Sequence, residues 1–288
     1  MTDWPIPLVR DIARRRCVLV IGSGVSRQSR GANGELPPTW ENFLNDCNDS
    51  LPNGPKEHIK EAIEQGDLLH ACEWLQRIYD SQWPTKLRSV FSAPRFVPSD
   101  VHKNICRLDS RVIFSLNFDD IIDRAAQEIY SGTCVRKIYD DPDVSEFLRG
   151  TERYLVKVHG TLDNPGRLIF TQKQYASARV KASAFYNAFD SALMTHTFLF
   201  LGAGYRDPDI NLILENQNFT YAESHPHYFV TANDMHDDLK NSLRANRNLQ
   251  IISYDKIDEN HSGFANAISE LYTQVEDYRK SLLVSWEW

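Results

Sequence analysis

Apolar residues fall along this chain in short blocks of two kinds. Residues 17–21, "CVLVI", are apolar throughout, as strands buried on both faces are. Runs of similar length recur at 111–115 ("RVIFS"), about 134–138, 154–158 ("YLVKV"), 168–170, 197–201 ("TFLFL"), 227–231 ("HYFVT") and 249–253 ("LQIIS"). Stretches that fit helices lie between most of them, at 119–130, 183–194, 208–217, 234–245 and 263–282. Strands alternating with helices of about 10–15 residues predict an α/β fold with a Rossmann-like, doubly wound, mostly parallel sheet. Ligands of such sheets sit at the carboxyl ends of the strands. The residues that follow each apolar run are therefore the ones to read for chemistry.

One stretch breaks the alternation. After Ser26 a polar loop, "RQSRGANGELPP", leads into helical segments starting at Thr39 and covering 55–65, 67–79, 84–91 and 99–107. Thr39, followed by Asn42 three residues on, suits an N-cap. No convincing strand separates these segments. Residues of about 30–107 thus read as a helical insertion after the first strand, within a single domain covering 1–288. A short helix at 5–16 precedes the first strand, with Arg14, Arg15 and Arg16 in its last turn. Cations there suit the negative end of the helix dipole.

With 288 residues, 42% of them hydrophobic and 25% charged, the chain has the composition of an ordinary soluble globular protein. Its net charge of −7 disfavours direct nucleic-acid binding and leaves room for a local basic patch. The five cysteines, Cys17, Cys47, Cys72, Cys106 and Cys134, form no Cys-x-x-Cys pair. That spacing points away from a zinc ribbon and a disulfide framework, and toward reduced thiols in the cytoplasm. No apolar run approaches the roughly 18 residues of a membrane helix. The amino terminus lacks the order of a signal peptide. No metal site is expected: His225 and His227 lack a third nearby ligand.

Four strand ends carry unusual residues. The first is "GSGVS": Gly22, Ser23, Gly24, Val25 and Ser26. A glycine-rich turn of this kind is either a tight turn or a backbone cradle for a phosphate. It is not the dinucleotide fingerprint, because Arg27 stands where a third glycine is needed. No Gly-Lys-Ser/Thr occurs, so it is not a Walker loop either. The second end is "SLNFDD", where Asn117 and Asp119 suit helix capping or a ligand hydroxyl. The third is His159-Gly160, a histidine poised for proton transfer near neutral pH. The fourth is "GAGYRDPD", with Gly202 and Gly204 closing a strand and Asp207-Pro208 opening a helix, Asp207 as its cap.

These four motifs, in this order, resemble the sirtuin superfamily. "GSGVS" is similar to its nucleotide loop "GAGxS", "SLNFD" to its "TxNxD" segment, and "HG" to its catalytic histidine and glycine. "GAGYRDPD" and "LIFTQKQYASA" resemble segments of the zinc-free bacterial branch, as does "LPPTWENFL" at the start of the insertion. The paired Cys-x-x-Cys motifs of the protein deacylases are absent, which argues against deacylation.

The resemblance implies cleavage of NAD+ to nicotinamide and ADP-ribose, with NAD+ as substrate, no further cofactor, and a role in anti-phage defence by NAD+ depletion. It implies catalytic roles for Asn117, His159 and Asp119. Substrate contacts would come from Gly22, Ser23, Gly24, Val25 and Ser26, from Gly202 and Gly204, and from Asn233 after the strand "HYFVT". Asp207 is assigned mainly to capping. A non-catalytic subunit that binds NAD+ or ADP-ribose is the alternative reading. Family precedent further implies homo-oligomerisation, or a separate sensor or HerA-like ATPase subunit. The aromatic end "LLVSWEW" suits either a contact surface or packing on the domain.

Overall fold

The computed structural model describes residues 2–285 apart from Arg206 and Ala222. The chain end with Trp286 and Trp288, which suits either a contact surface or packing on the domain, lies outside the described residues. Helix α1 (Ile6–Ala13) leads to β1 (Cys17–Ile21) and a single helical turn, α2 (Ser23–Ser26). Helices α3 (Trp40–Asp49), α4 (Glu57–Glu64), α5 (Leu68–Tyr79), α6 (Trp83–Phe91) and α7 (Asp100–Arg107) follow. Then come β2 (Val112–Ser115), α8 (Ile121–Ile129), β3 (Cys134–Ile138), β4 (Arg153–Lys157), α9 (Gln172–Lys181) and α10 (Ser183–Thr195). The last elements are β5 (Thr197–Leu201), α11 (Pro208–Thr220), β6 (His227–Ala232), α12 (Asp237–Arg247), β7 (Leu249–Tyr254) and α13 (Ser262–Ser285).

The seven strands form one parallel sheet in the order β3-β4-β2-β1-β5-β6-β7. This is the predicted Rossmann-like sheet. β1 lies at its centre. From β1 the chain places β2 beside it, runs out to the edge as β3, comes back to insert β4 between β3 and β2, and then crosses over to place β5 on the other side of β1. That reversal opens the crevice where such sheets bind ligands.

Alternate strand residues feed two cores. Leu19, Ile21, Ile113, Leu155, Leu199 and Leu201 pack with α1, α7, α8 and α13 on one face. Val18, Val20, Phe114, Val156, Phe198 and Phe200 pack with α10, α11 and α12 on the other. Burial on both faces explains why these strands read as unbroken apolar runs.

Helices α3 to α6 have a core of their own, built around Phe43, Ile59, Leu75, Trp83 and Leu87. Their chain leaves and returns at one point, where Arg30 bridges Val97 and Ala32 N–H donates to Pro94 O at 2.9 Å. The Thr39 cap forms as read, its hydroxyl accepting from Asn42 N–H at 3.1 Å. Helix α7, counted above within the stretch 30–107, packs on the sheet with α8 and α13 instead.

Residues 168–170 are not a strand. Leu168 and Phe170 turn into the insertion's core, while Ile169 packs with Tyr175. Their backbone is satisfied locally: Ile169 N–H donates to His159 O at 3.1 Å and Phe170 N–H to the Gln174 side chain at 2.8 Å. Gln174 does so as part of a capping box with Thr171, which starts the unforeseen helix α9.

Candidate active site at the carboxyl ends of the central strands

A cavity of about 500 Å³ opens where β1, β2, β4 and β5 end. Three of the four strand-end motifs reach it through Gly22, Ser23, Ser26, Asn117, Asp119 and His159, and the fourth through Gly204 and Asp207. The opposite wall comes from the insertion and its partners: Trp40, Phe43, Leu69, Phe91, Phe118 and Phe170. The site thus has a polar floor and an aromatic wall.

The glycine loop owes its shape to the end of β5. Gly22 N–H donates to Leu201 O at 3.0 Å and Gly24 N–H to Gly202 O at 2.9 Å. Gly202 adopts φ +56°, and a Cβ there would lie 2.6 Å from Val25 N. A Cβ on Gly24 would lie 2.9 Å from Gly202 Cα. Two backbones therefore meet where side chains have no room, and at least three of the loop's N–H groups are spent inside the protein, Val25 N–H donating to Gly22 O at 3.0 Å. Of the five loop residues, Ser23 is the exposed one, while Val25 and Ser26 are buried.

Asn117 is 9% exposed. Its Nδ2 donates to Gly22 O and to Ser26 Oγ, both at 2.8 Å. A carbonyl only accepts, so Nδ2 is fixed on that side and Oδ1 is the atom Asn117 can offer a ligand. The Ser26 hydroxyl in turn donates to Asp119 Oδ2 at 2.7 Å. Asp119 Oδ1 accepts from Ile121 N–H at 3.1 Å, capping α8. Burial raises the Asp119 carboxyl above its ordinary value, against the pull of Lys157 and the Ser26 hydrogen bond. Lys157, fully buried, donates to Asp119 O at 2.5 Å and pairs with Asp123 at 3.0 Å. Asp119 is thus tied into the wall of the site through both oxygens.

His159 is fixed through Nδ1, which donates to Leu116 O at 3.1 Å. In the neutral ring this leaves the lone pair on Nε2. Nε2 stands 3.3 Å from Asp207 Oδ2 and 3.4 Å from the Tyr175 hydroxyl, which itself donates to Asp207 at 3.2 Å. The cap read for Asp207 is present, Ile210 N–H donating to Oδ1 at 3.0 Å. Its second oxygen gives it a place in the site that the sequence reading did not assign. Tyr175 was missed because helix α9 was.

The remaining expected contacts are looser. Gly202 sits behind the glycine loop, and beside Gly204 a Cβ would meet nothing within 4 Å. Asn233, past β6, pairs with Asp255 at 3.2 Å and is not among the residues lining the cavity. No lysine or arginine lines the cavity among the described residues.

Residues 111–252 match the SIR2-like domain family. The chain is 28% identical over 134 residues to the NAD(+) hydrolase ThsA of Acinetobacter baumannii, covering 46% of this chain and 27% of that one. It is 26% identical over 199 residues to the NAD(+) hydrolase ThsA of Enterococcus faecium, covering 64% and 40%. Defense-associated sirtuin 2 of Bacillus subtilis is 22% identical over 203 residues, covering 69% of this chain and 19% of its own length. The alignments thus span less than half the length of these relatives. Asn117, Asp119, His159, Gly202, Gly204 and Asn233 fall inside the matched stretch, whereas the glycine loop after β1 precedes it.

Proposed function

From a chain whose residues 111–252 form a SIR2-like domain, we propose that the protein hydrolyses NAD+ to nicotinamide and ADP-ribose, and that NAD+ depletion serves antiviral defence. The observation that carries this reading is one cavity in which Asn117 offers Oδ1 and His159 offers Nε2 beside an aromatic wall. The relatives' names, NAD(+) hydrolase and defence-associated sirtuin, support it.

The reaction breaks the bond between ribose C1′ and nicotinamide N1. The bonding pair leaves with nicotinamide, a good leaving group because its ring nitrogen is cationic in NAD+. A water oxygen bonds to C1′, and the water's proton goes to His159 Nε2. Asp207, 3.3 Å away, stabilises the imidazolium that results. Asn117 Oδ1 accepts from the attacking water or a ribose hydroxyl and so orients it. Asp119 acts through Ser26, whose hydroxyl holds Asn117 in place. The nicotinamide ring lies against Trp40, Phe118 and Phe170. The pyrophosphate lies along Gly22 and Ser23, and the adenosine half extends past Gly204 toward Asn233.

The protein would work in the cytoplasm, as a homo-oligomer or with a separate sensor such as a HerA-like ATPase. No helix among the described residues is long and apolar enough to cross a membrane.

Incubation of the purified chain with NAD+, followed by chromatography, tests the reading. Equal amounts of nicotinamide and ADP-ribose are expected. Binding of NAD+ with no nicotinamide released would make the chain a non-catalytic binder.

A further inference from the structure

At the other end of the sheet a second cavity, of about 850 Å³, opens among α1, α7, α13 and the start of β4. Six arginines line it: Arg14, Arg15, Arg16, Arg107, Arg153 and Arg279. Asp109 and Glu276 are the acidic residues of the lining, so six cations less two anions leave four positive charges, in a chain whose net charge is −7. We infer that this cleft binds a small molecule carrying two or more phosphate groups.

The helix read over 5–16 ends at Ala13, with Arg14 as its C-cap and Arg15 at φ +56°, so Arg14, Arg15 and Arg16 follow the last turn instead of lying in it, and the helix end accounts for Arg14 at most. It does not explain why Arg153 and Arg279, from β4 and α13, converge on the same cavity. Several of the guanidinium groups are held in place by the protein itself. Asp109 takes Arg153 Nε on one oxygen at 2.6 Å and Arg15 on the other. Burial pushes the Asp109 carboxyl up, but the hydrogen bonds from Arg153 and Arg15 outweigh it and leave the carboxyl below its ordinary value. Arg153 also lies over the Tyr130 ring, 4.8 Å from its centre. Arg279 is fixed by Glu276 at 2.7 Å and by Leu108 O at 2.6 Å. Side chains fixed before a ligand arrives lose little conformational entropy on binding it.

Each guanidinium carries five N–H donors in a planar fork that matches phosphate oxygens, and Arg153 meets Asp109 through Nε. Arg16 and Arg107 are exposed. The concave volume falls in the range of small-molecule sites. Net negative charge on the chain as a whole disfavours a long polyanion such as nucleic acid. The site is distinct from the cavity that holds His159. Arg16 immediately precedes β1, which leads to Gly22, and Arg153 opens β4, which leads to His159. A ligand here would sit at the far ends of two strands that carry the candidate active site.

Titration calorimetry with inorganic tripolyphosphate, at low and high salt, tests the inference. Tripolyphosphate lacks the nucleosides of NAD+ but could also meet the backbone along Gly22 and Ser23, so the arm that assigns its binding to this cleft is a variant of the cleft's own arginines. Salt-sensitive binding of one tripolyphosphate per chain is expected. The double variant Arg16→Ala/Arg107→Ala leaves the Asp109 and Glu276 pairs intact, and it should bind at least roughly tenfold more weakly. His159→Ala should bind as the parent does, so the result stands apart from whether the chain cleaves NAD+. Absence of binding, or equal affinity in the double variant, overturns the inference. A poly-glutamate peptide that binds where tripolyphosphate does not would overturn it too, assigning the cleft to an acidic protein segment.

Discussion

Asn117 spends both protons of its amide inside the protein, on Gly22 O and Ser26 Oγ. The resemblance singles out Asn117 as catalytic; the structure adds that Oδ1, an acceptor, is the side-chain atom it has left to offer. Ser26 and Asp119 complete a short chain of hydrogen bonds that fixes this orientation. The glycines divide in the same way. Gly202 and Gly204 looked alike in the sequence, yet only Gly202 has φ +56° and a backbone neighbour inside contact distance. Gly202→Ala should therefore cost about 1–3 kcal/mol for the strained conformation alone, plus the displacement of the glycine loop. Gly204→Ala should melt within a degree or two of the parent. Thermal unfolding of the two variants side by side checks this, and equal melting temperatures would contradict the packing account. A sequence shows that glycines are present; which of them faces another backbone depends on a contact about 180 residues away along the chain.

At the scale of elements, the strands and the insertion were legible because burial on two faces, or on one helical stripe, leaves a period in the sequence. Residues 168–170 misled because three apolar residues in an extended segment look like a short strand. They divide instead between the insertion's core and the cluster around Tyr175. With them went α9, although its capping box, Thr171 with Gln174, stands in the sequence. Tyr175 and the second role of Asp207 were therefore missed together. Phe170 now joins two elements, packing on Phe118 at 4.7 Å and on Trp40 at 5.9 Å between ring centres. Phe170→Ala should destabilise the protein by about 3–5 kcal/mol. It should also raise the KM for NAD+ more than it lowers kcat, since the ring forms part of the wall that holds the nicotinamide and neither gives nor takes a proton. Denaturant titration and steady-state kinetics read the two effects separately. A large fall in kcat at unchanged KM would contradict this placement.

The whole molecule adds a pH dependence that no motif announces. Burial pushes His227 down to about 4. Burial, helped by the charge of Arg124, pushes His102 down to about 3. In the unfolded chain both would titrate near about 6.5, so the unfolded state binds more protons between the two values. Their stabilisation is fully present above about pH 6.5 and is lost as pH falls toward 4 and then 3. Each residue contributes a slope of about 1.4 kcal/mol per pH unit inside its window. Urea midpoints at about pH 7 and about pH 5 should differ clearly in the parent and by less in His227→Gln. An unchanged difference would remove His227 from the account.

The doubly wound sheet and the four strand-end motifs were readable at this scale; the strand order that sets its switch point was not. The aromatic wall was not, because nothing in the order of the chain says that the inserted helices fold back over the strand ends. That wall and the polar floor together form the site on which the central claim depends. NAD+ binding and nicotinamide release, measured side by side on the parent chain and on His159→Ala, test the claim most directly. The account predicts affinity for NAD+ within a few-fold of the parent and release slowed by about 10²–10⁴-fold, the range for loss of a general base. Release at the parental rate from folded His159→Ala would contradict it.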